Sequence, residues 1–344
     1  MSETIRIGIV GAGRNTQTMH IPGLRALDGV EIVSVCNRSR ESSAQVAEQF
    51  NIPRIYDDWR ALITADDTDA IIIGTWPYLH HPITLAALAA GKHVMCEARM
   101  ARNAREAHEM AVAAAARPDL VAQIVPAPFS FGVDKTIKRL IGEGFLGDIL
   151  AVEVADRQGF LDTDGALNWR RDRDLSGHNI MTLGIWYETL LRWVGPATQV
   201  MAMGQTFVKM RSDTATGQLR PVQIPEHLDV VAALACGAQA HIGISQVTGL
   251  VQMFEASLFG SEGTLCYRDN KLFGGRRGQE TLTEIEVPPA EQGHWRVEEE
   301  FVNAIRGQEP ISHTTFADGV KYMEFTEAVG RSMAENRSIA LPLV

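Results

Sequence analysis

Ile5-Arg6-Ile7-Gly8-Ile9-Val10 runs directly into Gly11-Ala12-Gly13-Arg14-Asn15-Thr16. A short apolar strand followed at once by a glycine turn is how a dinucleotide-binding domain begins. Gly11 permits the tight turn, and Gly13 lets the backbone come close to a pyrophosphate. The following segment then reads as a helix whose N-terminus faces the phosphates. The third glycine of the G-x-G-x-x-G pattern is missing, with Thr16 in its place. Short G-x-G matches arise by chance, and the position directly after an N-terminal strand is what gives this one weight.

Outward from that turn, the first third of the chain alternates strand and helix. Val30 to Val35 reads as a strand, and Arg40 to Phe50 as a helix capped by Ser39. Ala70 to Gly74 is apolar throughout, as parallel strands covered on both faces tend to be. Ile83 to Ala90 reads as a helix ended by Gly91, His93 to Glu97 as a strand, Asn103 to Ala116 as a helix and Val121 to Val125 as a strand. This alternation predicts a doubly wound parallel sheet. After Pro126 the rhythm changes. A helix over Lys135 to Glu143 is followed by strand-like runs at 149–155, 200–208, 229–236, 240–247, 254–259 and 264–267, with a helix near Ile180 to Trp193 among them. Two helices, Val297 to Ile305 and Phe316 to Glu335, close the chain. The prediction is an α/β protein: a Rossmann domain over 1–125, then over 126–344 a substrate-binding and oligomerisation domain with a large, mostly antiparallel open sheet.

Bulk properties agree with two globular domains. The chain has 344 residues, 45% hydrophobic and 22% charged. Its net charge of −10 argues against nucleic acid as a partner. The apolar runs are too short to span a bilayer, so no membrane partner is expected. Met1-Ser2-Glu3-Thr4 leads into a strand without a basic region or long apolar segment, which predicts no secretory signal and a cytoplasmic protein. Cys36, Cys96, Cys236 and Cys266 stand far apart with no metal spacing, and reduced thiols are expected.

The strand ends carry the chemistry. An acidic residue is expected after the second strand when the adenosine ribose is free, because a carboxylate accepts from both hydroxyls and repels a 2′-phosphate. Asn37 replaces that acid and Arg38 follows it. Arginine pairs well with phosphate, which predicts NADP over NAD, with NAD possible; a solvated loop arginine is the alternative. After the third long strand comes Gly74-Thr75-Trp76-Pro77-Tyr78-Leu79-His80-His81-Pro82, at the sheet edge where ligands bind. Adjacent histidines on a turn point apart and no third ligand has suitable spacing, so no metal is expected there.

With Lys92-His93-Val94-Met95-Cys96-Glu97-Ala98-Arg99 a family likeness becomes plain. The chain resembles the Gfo/Idh/MocA oxidoreductases, the family of glucose–fructose oxidoreductase and inositol dehydrogenase. The likeness rests on the G-x-G turn with His20 and Pro22, the T-x-P-x-L-H-x-P stretch, the A-G-K-H-V-x-C-E strand, Trp169-Arg170, Gly184, Gly260-Ser261-Glu262-Gly263-Thr264 and Phe301-x-x-Ala304-Ile305. It implies a nicotinamide cofactor, with Glu97 near the nicotinamide. It also exposes departures. The family's catalytic lysine follows the glutamate, where this chain has Ala98. The family's aspartate and histidine, four residues apart on the mid-chain helix, correspond to Thr182 and Trp186. Alanine and tryptophan cannot do general acid–base work, and threonine is poor at it near neutral pH.

His178, Tyr187 and Arg99 are the candidates to take over catalysis. A histidine with its ordinary pKa near 6.5 suits proton exchange, a phenol donates, and an arginine orients a polar substrate. Capping for His178 and core packing for Tyr187 and Trp186 are the plainer alternatives. The cofactor is expected along Gly11, Gly13, Arg14, Asn15, Asn37, Arg38, Thr75, Trp76, His80 and Glu97. Arg170, at a family position near the substrate pocket, is counted with them. Trp76, Trp169 and Trp186 suggest a pocket suited to a ring-bearing substrate. The resemblance implies an NAD(P)-dependent oxidoreductase acting on a small sugar-like or other polar metabolite, assembled as a homodimer or homotetramer through the second-domain sheet. A cofactor-retaining lyase or hydrolase and an inactive dinucleotide sensor are the alternatives.

Overall fold

The computed structural model describes residues 4–214 and 216–343. Met1 to Glu3, on which the reading of the N-terminus rested, lie outside the described residues. The chain divides into two compact units. The first comprises 1–126 with 296–323, and the second 127–295 with 324–344. The segment 296–323 groups with the first unit, which a single cut after 125 does not include, and the division falls inside the helix Phe316–Glu335.

The first unit is built on a six-stranded parallel sheet. Its strands are β1 (Ile5–Val10), β2 (Val30–Cys36), β3 (Arg54–Ile55), β4 (Ala70–Ile73), β5 (His93–Cys96) and β6 (Ala122–Ile124), in the order β3-β2-β1-β4-β5-β6. All four residues of β4 are buried, as a strand covered on both faces requires. The order reverses between β1 and β4, and the crevice beyond their carboxyl ends is where ligands bind in such sheets. Ser39 caps the helix Arg40–Gln49 by accepting from Ser42 N at 3.2 Å, and Asn103 caps Ala104–Ala115 by accepting from Glu106 N at 2.9 Å. Each cap is worth about 1 kcal/mol.

One helix starts earlier than its sequence suggests. It runs Pro77–Ala89, so residues 77–82, ahead of the expected start at Ile83, form its first turns. Pro77 takes the first helical position, where its missing N–H costs nothing, and Pro82 lies inside the helix.

The second unit carries a nine-stranded sheet of β7 (Ile149–Arg157), β8 (Ala197–Gln205), β11 (His227–Leu234), β12 (Gln239–Ser245), β13 (Met253–Gly260), β14 (Gly263–Arg268), β15 (Lys271–Arg276), β16 (Thr283–Ile285) and β17 (Ile339–Ala340). Their order is β16-β15-β14-β13-β7-β12-β11-β8-β17, and β7 with β12 is the parallel pair in an otherwise antiparallel sheet. A separate ribbon joins β9 (Met210–Ser212) to β10 (Leu219–Pro221). β3, β9, β10, β15, β16 and β17 are short or lack a long apolar run, so their sequence carries no strand signal. The alternation in β7 buries Val152, Val154 and Asp156 on one face. The helix Leu183–Val194 lies in this unit with Trp186, Tyr187 and Leu190 buried.

Among the described residues no helix is long and apolar enough to cross a membrane. The cysteines are unpaired, with Cys36, Cys96 and Cys266 buried and Cys236 exposed.

Candidate functional site

The glycine turn closes tightly against β4. Gly11 has φ +86°, and a Cβ there would lie 2.6 Å from Thr75 N, so only glycine fits. The missing third glycine is made up elsewhere. A Cβ on Gly74 would lie 2.2 Å from both Gly11 O and Thr16 Oγ1, so glycine at the end of β4 provides the clearance that Thr16 takes up. Asn37 Oδ1 accepts from Ala12 N at 2.7 Å while its amide donates to Ser42 O and Oγ, tying the turn to the β2 loop. Asn37 therefore braces the turn, and its side chain is already engaged.

A cleft of about 490 Å³ opens here, lined by Gly11, Gly13, Asn37, Arg38, Thr75 and Trp76 among others. Gly13 is exposed, and a Cβ on it would meet only Gly74 O at 3.5 Å. The Thr75 hydroxyl is buried in the wall without a hydrogen-bond partner. A glycine cradle, an unsatisfied hydroxyl and the first turn of a helix, whose leading N–H groups have no partner within it, fit the diphosphate of a dinucleotide. At the far end, Arg38 lies with Cζ 5.7 Å from the centre of the Trp76 ring. Asp57 and Asp58 also line the cleft, but Asp57 is paired with Arg40 at 2.7 Å and Asp58 caps Trp59–Thr64.

The same unit holds a buried acid–base network. The helix after the glycine turn widens to a π-turn over Thr16–His20, a feature frequent at functional sites. It delivers His20, fully enclosed, between two carboxylates: Nδ1 is 2.5 Å from Glu298 Oε1 and Nε2 is 3.0 Å from Glu97 Oε1. Burial by itself would lower the His20 pKa, but hydrogen bonds to Glu298 and Glu97, with their charges, outweigh it and raise it to about 9. The ring is an imidazolium donating from both nitrogens. Burial would likewise raise the Glu97 carboxyl, yet His20 and the Asn15 amide, which donates to Oε1 at 2.5 Å, hold it below the ordinary carboxylate range. Glu97, at the end of β5, is thus a fixed anion.

In the second unit, Asp156 ends the buried face of β7. Its Oδ2 accepts from the Thr182 hydroxyl at 2.6 Å and from Trp186 Nε1 at 3.0 Å. Phe129 and Phe254 pack against the Trp186 ring with centroids 5.6 and 4.8 Å away, and Trp186 is fully buried.

Two family models match the chain. One, an oxidoreductase family with an NAD-binding Rossmann fold, covers residues 5–124. The other, the GFO/IDH/MocA C-terminal domain, covers 135–266. The chain belongs to the Gfo/Idh/MocA oxidoreductase family. Levoglucosan dehydrogenase of Pseudarthrobacter phenanthrenivorans is 23% identical, over 90% of this chain and 89% of that protein. Inositol 2-dehydrogenase of Pseudomonas savastanoi pv. phaseolicola is 28% identical over 55% of this chain and 54% of its own length. A solved structure of levoglucosan dehydrogenase with NADH and L-sorbose superposes with a TM-score of 0.85, covering 98% of this chain and 99% of that one at 22% identity. At that identity the likeness speaks for the fold.

Within this Gfo/Idh/MocA chain the expected site residues divide. Gly11, Gly13, Asn37, Arg38, Thr75 and Trp76 line the cleft, and Arg14 and Asn15 are exposed at the start of the following helix. His80 is enclosed, with its ring nitrogens 2.9 Å from the carbonyls of Thr75 and Arg99. Burial pushes its pKa down. It braces two loops and offers no nitrogen to a ligand, contrary to its expected cofactor contact. Arg99 is half-buried after Glu97, and its carbonyl is one of those two. Arg170, in the second unit, is exposed with Cζ 4.3 Å from the Trp169 ring centre.

The two proton donors read from sequence are not placed for that task. His178 Nδ1 accepts from Arg173 Nη2 at 2.9 Å, and burial together with the Arg173 charge lowers its pKa to about 4. A neutral imidazole held that low gives up no proton near pH 7. Tyr187 is buried, stacks on Phe325 at 3.6 Å and accepts from Ala197 N at 2.9 Å. Burial raises its pKa to about 12, and it is a core aromatic. Trp186, buried, has no face to offer a substrate ring. Sequence reasoning missed Asp156, Glu298 and Gly74. Asp156 falls on the buried face of a two-residue alternation, and Glu298 shares a helical stripe with Phe301 and Val302. A charge at a core position was the available signal.

Proposed function

We propose that the protein is an NADP-preferring oxidoreductase that exchanges a hydride with a secondary alcohol or carbonyl of a small polyhydroxylated metabolite, using an acid–base set unlike its family's. The observation that carries this is the cleft: a glycine cradle at one end and, at the other, Arg38 unpaired with any carboxylate among the described residues while both nearby aspartates are engaged. No acid follows β2 to accept from ribose hydroxyls, and a guanidinium favours a 2′-phosphate. Relatives named for inositol and levoglucosan support the substrate class.

The bound nicotinamide supplies the two-electron chemistry. Gly11 and Gly13 would keep the backbone clear for the diphosphate, and the partnerless Thr75 hydroxyl would be available to donate to it. Trp76 holds Arg38 at the adenosine end. Glu97, kept ionised by His20, is an acceptor of fixed charge that orients a donor group without giving up a proton. Ala98, Thr182 and Trp186 occupy the places of the family's lysine, aspartate and histidine, so the substrate proton takes another route. Association through the open face of the second sheet, where Met201, Met203 and Val231 are exposed, completes the proposal.

The test combines binding with turnover. NADPH and NADH affinities are measured by nicotinamide fluorescence, and the reduced-nicotinamide absorbance is followed across cyclitols, anhydrosugars and their ketones. Tighter NADPH binding with an absorbance change on at least one polyol is expected. Binding without any absorbance change, with substrate consumed, points to a cofactor-retaining lyase; binding with no substrate consumed points to a sensor.

A further inference from the structure

Glu226 stands just ahead of β11 with 2% of its side chain exposed. Its Oε2 accepts from Phe207 N at 2.8 Å. Its Oε1 is buried with no hydrogen-bond partner among the described residues. Two guanidinium groups face that oxygen, Arg171 Nη1 at 3.9 Å and Arg211 Nη2 at 3.8 Å, and neither is close enough to donate. Arg211 is engaged elsewhere. Its Nη1 donates to Gly165 O at 2.5 Å and its Nη2 to Asp162 O, which ties the strap 158–168 to β9. Arg171 Nη1 is buried and likewise has no hydrogen-bond partner among the described residues, lying 3.8 Å from Asp162 Oδ2. A buried donor and a buried acceptor thus face each other across a gap too wide for a direct bond, an unfavourable arrangement unless something fills it.

The gap opens into a cavity of about 230 Å³, lined by Gln158, Phe160, Asp162, Arg171, Glu226 and Gln246 among others. All six belong to the second unit. Backbone bonds fix the frame. Gln158 N donates to Ser245 O and Gln246 N to Glu226 O, both at 2.9 Å, so the ends of β7 and β12 and the start of β11 are held together. Phe160 is exposed, and its Cε1 lies 3.1 Å from the would-be Cβ of Gly249, so glycine there leaves the ring room.

The chemistry of the gap selects its occupant. One oxygen atom placed about 2.7–3.0 Å from each group would bridge Arg171 Nη1 and Glu226 Oε1. It must accept from the first and donate to the second, and a hydroxyl does both. An ionised carboxylate has no proton for Glu226, and an ammonium has no lone pair for Arg171. The charges agree: the guanidiniums of Arg171 and Arg211 are matched by the carboxylates of Glu226 and Asp162, which favours neither an anion nor a cation. The amides of Gln158 and Gln246 each bring a donor and an acceptor for further hydroxyls. The Phe160 ring offers an apolar face to the C–H side of a sugar ring. We propose that this cavity is a binding site for a neutral polyol, a monosaccharide or cyclitol, one hydroxyl of which bridges Arg171 and Glu226. Neither a dinucleotide nor turnover enters the inference.

The experiment measures binding to the full chain without dinucleotide, by saturation-transfer NMR and calorimetry. The neutral probes are myo-inositol, D-glucose and D-sorbitol, and the charged ones D-gluconate and D-glucosamine. At least one neutral probe is expected to bind, and more tightly than either charged one. Arg171→Met keeps the aliphatic stem and removes the donor, whereas Glu226→Gln keeps an acceptor for Phe207 N and removes the charge. Each should weaken the neutral probe roughly tenfold or more, and Phe160→Ala roughly threefold. Thermal melts establish that the variants are folded, and R171M with F160A decides the matter if E226Q is not. No saturation transfer to any neutral probe at about 10 mM overturns the site. So does tighter binding of D-gluconate or D-glucosamine, or an affinity in folded R171M within about twofold of the parent. The oxidoreductase reading is judged apart from this, by nicotinamide absorbance: a polyol that binds here and changes no absorbance leaves the site standing and counts against that reading alone.

Discussion

His20 and Glu298 lie 278 residues apart in the chain and meet through a 2.5 Å hydrogen bond from imidazole Nδ1 to the carboxylate. Through its other nitrogen the same ring holds Glu97 at 3.0 Å. The helix after the glycine turn, the end of β5 and the helix Val297–Ile305 are joined by one buried positive charge.

That charge makes stability depend on alkali. Folded His20 keeps its proton to about pH 9, against 6.5 for the free side chain, so its contribution is complete below about 6.5 and is lost as pH rises through 9. The full effect is about 3 kcal/mol. Denaturation midpoints should fall between pH 7 and pH 9.5 in the parent protein, and His20→Gln should lack that slope. It should also be less stable by about 3 kcal/mol at pH 6.5, because two buried carboxylates lose their partner. A flat parent profile over that range would exclude the imidazolium.

Arg38→Ala tests the adenosine end. Removing one charge-assisted contact to a 2′-phosphate costs about 1.5–3 kcal/mol, so NADPH should bind roughly 10- to 100-fold more weakly while NADH is nearly unaffected. Equal losses for both cofactors would remove the NADP preference.

Gly74→Ala places a methyl group 2.2 Å from the Gly11 carbonyl oxygen, which is backbone and cannot rotate away. Loss of about 2 kcal/mol or more, together with loss of dinucleotide binding, is expected. Gly132→Ala is the matched control: nothing lies within 4 Å of its would-be Cβ, and it sits inside the helix Phe131–Gly142. It should be neutral or stabilise by about 0.5–1 kcal/mol. Thermal melts and a binding titration separate the two.

Neither proton donor suggested by the sequence should matter for turnover. His178→Gln should leave kcat within about twofold of the parent protein. Tyr187→Phe should behave likewise while costing about 1–3 kcal/mol of stability, since the Ala197 N–H loses its acceptor in the core. A collapse of kcat in a folded H178Q variant would return His178 to the mechanism.

Much of the fold was legible because it is local. The β1 run, the glycine turn and the cap at Ser39 are written in adjacent residues, and each appears in the structure. Short strands such as β3 and β17, two residues each, carry too little pattern to read. Histidines and prolines mask the first turns of the helix Pro77–Ala89, so its pattern is legible only from Ile83.

By itself the sequence determined the parallel first sheet, the mostly antiparallel second one and the family, since periodicity and motif spacing are properties of neighbouring residues. What only the tertiary structure decided is which ionisable groups share an environment. His20 became a cation because Glu97 and Glu298 converge on it. His178 was driven the other way by burial beside Arg173. Thr182 gained a carboxylate partner from a distant strand. Proton affinity depends on desolvation and on charges a few ångströms away, and those distances are set by folding.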